Sequence, residues 1–297
     1  MNILLTGGTG FIGNQLTGRL IKEGHRLTLI GRSGVGEMTF PEGVRFIQGN
    51  TMIEGTWQDA VSKNEVIINL AGESIFTRWN DKTKKLIYDS RILTTRNIVN
   101  AIEHSNVILF NASAVGYYGP RHDEDVTEES SNGDDFLSTV CRDWEKEALR
   151  AEEKGVRVII PRFGIVLGKG GGALAQMVHM FKKYLGGPLG SGKQWSPWIH
   201  MEDVINAVLF LLEKPEVEGS VNFCAPNPVR NKELADALGE VLNRPAVMPA
   251  PGFMVRLALG EFADILLTGQ RVIPKKLQEN GFQFTFPEIR GALRNLL

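Results

Sequence analysis

The stretch NILLTGGTGFIG, residues 2–13, decides how this chain begins to fold. Its aliphatic opening predicts a buried strand, and helical spacing of the apolar residues begins at Phe11. Gly7, Gly10 and Gly13 stand between the strand and the helix, and that context is what makes a glycine-rich pattern informative. We interpret the loop as a dinucleotide-binding turn; the alternative is a tight turn without a ligand.

Each glycine in this loop meets a separate physical requirement. Gly7 makes the tight turn, Gly10 lets the backbone approach a pyrophosphate, and Gly13 permits close packing of the helix on the strand. The free N–H groups at the start of the helix, at Phe11 and Ile12, then face the phosphates. These five residues are the first predicted cofactor contacts.

The rest of the chain alternates short β-branched or aliphatic runs with helical patterns. Strands are predicted at 26–30, 44–48, 65–70, 107–113 and 156–162, and helices at 11–24, 81–103, 136–154 and 173–184. This alternation indicates a parallel sheet that is covered by helices on both faces. The predicted fold class is α/β, a doubly wound parallel sheet of the Rossmann type that binds NAD(P), with a smaller C-terminal region on the substrate side.

The amino-acid composition and the spacing of the apolar residues change after residue 164. Glycine-rich loops follow, and prolines become frequent between 245 and 251. We predict an NADP-binding domain over 1–164, substrate-side segments interleaved with the sheet over 165–244, and a small C-terminal subdomain over 245–297. The last of these is expected to pack over the open edge of the ligand crevice.

The end of the second strand indicates which dinucleotide is preferred. NAD-binding proteins commonly have an acidic residue here, whereas this chain has Arg32 and Ser33. A carboxylate would repel a 2′-phosphate, and a guanidinium fits one. The sequence therefore predicts NADP (NADPH) as the cofactor, with a solvated surface arginine as the alternative.

Small residues end the fourth predicted strand, in the run INLAGES (68–74). Asn69, Ala71 and Gly72 suit a cofactor that lies across the carboxyl ends of the strands. A plain turn at the end of a strand explains the same residue types equally well.

Motifs along the whole chain add a family resemblance. They are ASAVGYYG (112–119), DDFLSTVCRDWE (134–145), PRFGIVLGKGGGAL (161–174), GGPLGSGKQWSPWIHMEDV (186–204) and GQRVIPKKLQENGF (269–282). The chain resembles the extended short-chain dehydrogenase/reductase superfamily and, within it, an atypical sugar-nucleotide-epimerase-like family with a C-terminal domain of unknown function. The resemblance implies an NADP-dependent oxidoreductase or epimerase-like enzyme that acts on a small carbonyl, hydroxyl or sugar-type substrate.

The resemblance also implies a departure at the catalytic helix. Ser113 falls where the superfamily keeps a catalytic Ser, but Leu137 and Cys141 fall where it keeps Tyr and Lys. Glu145 follows four residues later, as in the usual pattern. Leu cannot transfer a proton, so conventional Tyr–Lys chemistry is excluded at this helix. Ser196 falls where nucleotide-sugar epimerases often keep an Arg, which puts a sugar-nucleotide substrate in doubt.

Acid–base chemistry then needs another donor, and the loop after Ser113 offers Tyr117 and Tyr118. Tyr needs a nearby cation to act near neutral pH, and Arg91, Arg162 and Lys169 are candidates. Arg91 and Arg162 are also predicted cofactor contacts. The alternative for Tyr118 is that its ring anchors the loop by packing.

Five residues are predicted on the substrate side of the crevice: Glu73, Arg78, Trp79, Trp195 and Trp198. Trp79 has helix docking as its alternative. The run GKGGGAL (168–174) either binds an anion through its backbone N–H groups or forms a flexible lid. The acidic loop at 122–125 is interpreted as solvated rather than as a general base or a metal site, and no metal is predicted.

The composition of the chain limits the classes of partner that it is expected to bind. The formal net charge is −1, and no basic stripe is present, which argues against nucleic acid. No apolar run reaches the roughly 18 residues of a membrane span, and the start lacks a basic signal-peptide region. Cys141 and Cys224 are isolated thiols that suit a reducing cytosol. We expect a cytoplasmic protein with an unidentified small-molecule substrate and a homodimer as candidate assembly; an NADP-binding sensor or scaffold without turnover is the alternative function.

Overall fold

The computed structural model describes residues 1–32 and 42–297, so the predicted contact Ser33 lies outside the described residues. The strands are β1 (Asn2–Thr6), β2 (Arg26–Gly31), β3 (Val44–Gln48), β4 (Val66–Asn69), β5 (Ile108–Asn111), β6 (Ser113–Ala114), β7 (Asp125–Val126), β8 (Arg157–Phe163), β9 (Ile165–Leu167), β10 (Trp195–Ser196), β11 (Trp198–His200), β12 (Gly219–Phe223), β13 (Val229–Arg230) and β14 (Arg271–Val272). The α-helices are α1 (Phe11–Lys22), α2 (Asp81–Ala101), α3 (Phe136–Leu149), α4 (Gly172–Lys182), α5 (Met201–Leu212), α6 (Asn231–Leu242), α7 (Gly252–Leu259), α8 (Phe262–Leu267), α9 (Lys275–Glu279) and α10 (Ile289–Leu296). Three 3₁₀ helices cover Thr56–Lys63, Val115–Tyr118 and Arg150–Lys154.

The main sheet is parallel, with the spatial order β12-β8-β5-β4-β1-β2-β3, and β6 adds to it beside β8. The strand order reverses between β1 and β4, so the crevice expected in such sheets lies at the carboxyl ends of these two strands. This topology confirms the predicted fold class. The predicted boundaries agree closely; the helix predicted over 136–154 divides at Leu149, where a 3₁₀ turn takes over.

Alternate residues of the central strands pack into two hydrophobic clusters, one on each face of the sheet. Ile3 and Leu5 of β1 belong to the cluster beneath α1 and α5, whereas Leu4 belongs to the cluster beneath α2. All three side chains are fully buried. A strand covered on both faces has no polar side, which is why the sequence shows a continuous apolar run there.

The C-terminal segment packs in three places. Phe262 of α8 packs against Trp79, Leu277 of α9 joins the main core, and Leu293 of α10 packs in the cluster that contains α6. The proposed division at residues 164 and 244 stays a prediction.

Candidate functional site

The glycine loop after β1 has the close packing that the sequence predicts. Gly7 has a φ of +72°, which favours glycine, and the Gly10 N–H donates to the Gly7 carbonyl oxygen at 2.9 Å. A Cβ atom on Gly13 would lie 2.2 Å from the same carbonyl oxygen, closer than any real contact. Gly13 is therefore required for the start of α1 to touch the turn.

The start of α1 presents donors that the helix itself does not use. Its first i to i−4 backbone bond runs from Asn14 N to Gly10 O at 2.9 Å, which leaves the N–H groups of Phe11, Ile12 and Gly13 without intrahelical partners. No described side chain caps this end, and its first turn contains no acidic residue. These donors fit a pyrophosphate.

The ring of Phe11 explains the glycine run 168–172. A Cβ atom on Gly171 would lie 2.6 Å from the Phe11 ring, and one on Gly172 would lie 2.8 Å from it. The run therefore packs directly on the first residue of α1, and this packing brings the start of α4 next to the start of α1. Neither the anion-binding nor the lid interpretation of the run anticipated this contact.

Arg32 lies at the carboxyl end of β2 with its side chain 62% exposed. Its Nη2 is 3.3 Å from Glu73 Oε2, so Glu73, predicted on the substrate side, is placed beside the predicted 2′-phosphate contact. An exposed pair of this kind contributes about 1 kcal/mol or less, so Arg32 can exchange Glu73 for a stronger anion.

Asn69 is fully buried beneath the crevice rather than open to it. Its Oδ1 accepts from Thr6 Oγ1 at 2.6 Å, and its Nδ2 donates to Thr95 Oγ1 at 3.0 Å and to Asn111 Oδ1 at 2.7 Å. The side chain ties the ends of three strands to α2, and its polar atoms are engaged there. The sequence missed this network; its only signal is a polar residue at the end of each neighbouring strand.

Arg91 supports the turn after β4. Its Nη1 donates to Glu73 O at 3.1 Å and to Ile87 O at 2.9 Å, and a Cβ atom on Gly72 would lie 3.2 Å from Arg91 Cζ. Burial lowers the pKa of Arg91 from its ordinary value. Gly72 itself is exposed and Ala71 half-buried, so both remain at the surface of the crevice.

Ser113 belongs to a buried ionic network. Its hydroxyl donates to Glu145 Oε1 at 2.6 Å, and the same carboxylate accepts from Arg162 Nε at 2.8 Å and Nη2 at 2.7 Å. These three residues are 3–5% exposed. Burial alone would lower the pKa of Arg162, but its hydrogen bonds to Glu145 and the charge of that carboxylate raise it above the ordinary value. In this arrangement the Ser113 hydroxyl donates its proton to a hydrogen bond with Glu145. The Arg162 guanidinium is held in an ion pair with the same carboxylate and does not extend toward a cofactor.

Tyr118 extends the same network away from the crevice. Its hydroxyl accepts from Arg162 Nη1 at 2.8 Å and donates to Asn222 Oδ1 at 2.6 Å. Tyr118 has no exposed surface, and burial raises its pKa above the ordinary value. The alternative weighed for this residue, a ring that anchors the loop, agrees with this position better than a proton donor does.

Tyr117 is placed differently, although it is the neighbour of Tyr118. It is half-buried, and its ring centroid lies 3.6 Å from Arg162 Cζ. No described residue forms a hydrogen bond with its hydroxyl. Of the candidate cations, Arg162 is the one that the structure brings to this ring.

Leu137 and Cys141 lie on α3 close to Gly116. Both are buried, and Leu137 packs with Trp79 and Phe262. Burial raises the pKa of the Cys141 thiol to about 12, and the nearby Glu145 carboxylate adds to the rise. The thiol is therefore neutral, and no proton chemistry near neutral pH is available on this face of α3.

The predicted substrate-side tryptophans separate into different environments. Trp195 is half-buried, and its Nε1 donates to Asp123 Oδ1 at 2.8 Å while Arg230 lies 4.3 Å from its ring. Trp198 is 1% exposed inside the cluster beneath α6, so its side chain faces the core and not a substrate. Trp79 is buried, and its Nε1 donates to Ile75 O at 3.0 Å.

Over the described part of the chain, no group of three or more His, Cys, Asp or Glu side chains could hold a metal ion. Within residues 1–32 and 42–297, no helix combines the length and the hydropathy that crossing a bilayer requires.

Comparison with known proteins identifies the family. The model of the NAD dependent epimerase/dehydratase family matches residues 3–224, and a domain of unknown function named DUF1731 matches residues 250–296. The chain belongs to this epimerase/dehydratase family. Both parts of the resemblance found in the sequence, the epimerase-like body and the C-terminal domain of unknown function, are thereby confirmed.

Three relatives show how similar this chain is to known members of the family. The chain is 42% identical to the chloroplastic SDR39U1 homologue of Arabidopsis thaliana, covering 100% of this chain and 87% of that protein. It is 39% identical to YfhF of Bacillus subtilis, covering 100% of this chain and 98% of YfhF. A crystal structure of human epimerase family protein SDR39U1 (isoform 2) with NADPH superposes with a TM-score of 0.88 at 35% identity, covering 100% and 99% of the two chains. The predicted cofactor is thus confirmed at the level of the family, by a relative crystallised with NADPH.

Proposed function

We propose that this protein is an NADPH-dependent oxidoreductase or epimerase-like enzyme that acts on a small carbonyl or hydroxyl compound. The observation that carries the proposal is the start of α1, where uncapped N–H groups meet a turn in which Gly13 leaves no room for a side chain. A helix end of this kind stabilises a bound pyrophosphate through its donors and its dipole. NADPH in the human relative supports the same cofactor here.

Arg32 supports the preference for the phosphorylated dinucleotide. Its guanidinium is largely exposed at the end of β2, and its contact with Glu73 is a single 3.3 Å interaction. A 2′-phosphate offers more negative charge and more acceptor oxygens than that carboxylate, so it binds Arg32 more strongly.

NADPH, when bound, supplies a hydride to the substrate carbon. We assign the accompanying proton to Tyr117, whose hydroxyl has no hydrogen-bond partner among the described residues and whose ring rests on Arg162. The phenol gives its proton to the carbonyl oxygen, and water returns a proton to the phenolate. Ser113 and Tyr118 hold Glu145 and Arg162 in place.

The alternative is an NADPH-binding sensor without turnover. A specific observation favours it: Leu137 and the neutral, buried Cys141 leave α3 without a proton donor, and the hydroxyls of Ser113 and Tyr118 are committed inside the core. On this alternative Tyr117 transfers no proton.

Cofactor preference is tested by titrating the purified protein with NADPH and NADH and following the dinucleotide fluorescence. We expect tighter binding of NADPH, and the substitution Arg32→Asp should weaken it by about 2–3 kcal/mol because it replaces attraction with repulsion. Equal affinities of the unsubstituted protein for the two dinucleotides would contradict the assignment.

Turnover is tested by a panel of carbonyl compounds with NADPH oxidation as the readout. Tyr117→Phe should lower kcat by about 10²–10⁴-fold without loss of NADPH affinity, the usual contribution of a positioned acid. Cys141→Ala is the control and should retain kcat. An inactive Cys141→Ala with an active Tyr117→Phe would assign the chemistry to the thiol, and tight NADPH binding without turnover of any compound would favour the sensor.

A further inference from the structure

A packed apolar cluster with a partly exposed edge includes Leu137, the position where the resemblance would have put the proton donor. We call it the apolar wall; it consists of Ile75, Phe76, Trp79, Phe136, Leu137, Leu259, Phe262, Ile265 and Leu266. The residues come from the loop after β4, from the start of α3 and from α7 and α8. The C-terminal domain of unknown function therefore builds one side of this surface.

Aromatic contacts hold the apolar wall together. Phe262 lies 5.6 Å from Phe76 and 5.7 Å from Trp79 between ring centroids, and Trp79 lies 5.2 Å from Phe136 in an edge-to-face arrangement. Such pairs stabilise one another beyond the area that they bury. Phe76 nonetheless remains 59% exposed. The wall thus has a packed aromatic base and an exposed aromatic edge.

Two cations near the wall are held in ion pairs, and Arg78 is not. Lys84 forms an ion pair with Glu261, and Arg256 forms one with Asp264 at 2.9 Å. Arg78 is exposed, its side chain lies against Gly260, and it forms no ion pair with any described residue. An unpaired guanidinium therefore lies two residues from Phe76 and one residue from Trp79, at the edge of the wall.

We infer that the site takes an amphipathic carboxylate, with an aliphatic or aromatic body against the apolar wall and its carboxylate on Arg78. This inference rests on the proposed function and names its substrate class. One unpaired guanidinium matches the single charge of a carboxylate in a planar, two-bond geometry. Sugar hydroxyls on this wall would lose their hydrogen bonds to water without replacement, which disfavours a sugar at this position.

The test uses the full chain saturated with NADP⁺ and titrated calorimetrically with hexanoate, octanoate and decanoate, with octan-1-ol and UDP-glucose as comparison ligands. Burying each added methylene should tighten binding by about threefold to fourfold. Decanoate should bind more tightly than UDP-glucose. An affinity that is independent of chain length, or tighter binding of UDP-glucose, would overturn the inference.

Two matched pairs of variants locate the ligand. Arg78→Gln should weaken the binding of octanoate by about threefold to tenfold and leave the affinity for octan-1-ol unchanged. Lys82→Gln removes the same charge from the first turn of α2 and should change neither affinity. Phe76→Ala should weaken the binding of both ligands. Phe253→Ala, which removes another strongly exposed ring from α7, should not. Equal effects within either pair would overturn the inference.

Failure of the inference and failure of the proposed function give different results. A protein that does not bind NADPH at all contradicts the proposed function. A protein that binds NADPH but shows no dependence on chain length and no effect of Arg78→Gln contradicts only the substrate class.

Discussion

Replacing Arg162 by Met should destabilise the protein strongly, because it leaves a buried charge unpaired. Arg162 is 4% exposed and gives two hydrogen bonds, of 2.8 and 2.7 Å, to the equally buried Glu145. Without it, the carboxylate keeps Ser113 as a donor, and the hydroxyl of Tyr118 loses one partner. Breaking a buried pair from one side costs about 3–5 kcal/mol.

That cost converts into a measurable shift of the melting temperature. A chain of 297 residues has an unfolding entropy of roughly 0.6 kcal/mol/K at its midpoint, so about 3–5 kcal/mol lowers Tm by roughly 5–8 °C. Scanning calorimetry, with urea unfolding as a second measurement, gives both quantities. Arg19→Met is the matched control, because Arg19 pairs with Glu23 on the surface at 2.7 Å and such pairs contribute about 1 kcal/mol or less.

A double-substitution cycle separates the ion pair from the loss of packing. Glu145→Gln removes the charge that Arg162→Met leaves behind, so the double variant should be more stable than the sum of the single effects predicts, by about 1–3 kcal/mol. The reasoning is refuted if Arg162→Met costs no more than Arg19→Met, or if the two single effects add.

Three further predictions follow from burial and close packing. Gly13→Ala should abolish NADPH binding while the far-ultraviolet circular dichroism stays native, because the new Cβ atom would lie 2.2 Å from Gly7 O; retained affinity would show that the loop tolerates the shift. Cys141 and Cys224 should resist iodoacetamide at about pH 8 in the folded protein and react in urea, because burial raises the pKa of both thiols; rapid labelling of the native protein would contradict this. Burial also raises the pKa of Glu128 above its ordinary 4.5, so the folded state holds this proton more tightly, and its contribution to stability falls as the pH rises through the folded-state pKa. Glu128→Gln should therefore gain stability relative to the unsubstituted protein as the pH rises, and urea unfolding at several pH values that shows no such trend would count against the buried carboxylate.

Local chemistry in the sequence was sufficient for the strands and helices of the N-terminal half and for the shape of the glycine loop. The turn at Gly7, the start of α1 at Phe11 and the packing at Gly13 involve residues that are neighbours along the chain, so their spacing carries the information. Residue identity was likewise sufficient at Leu137, since no fold can give an aliphatic side chain a proton to transfer.

The orientation of the polar side chains at the carboxyl edge of the sheet was decided only by the tertiary structure. Ser113 and Tyr118 follow a strand toward the predicted crevice, yet their hydroxyls pair with Glu145 and Asn222, 32 and 104 residues away in the chain. A polar residue that ends a parallel strand looks the same in sequence whether it opens to the crevice or closes a buried network. Which of the two it does depends on where distant strands and helices place their partners, because a buried polar group must find its hydrogen bonds inside the protein.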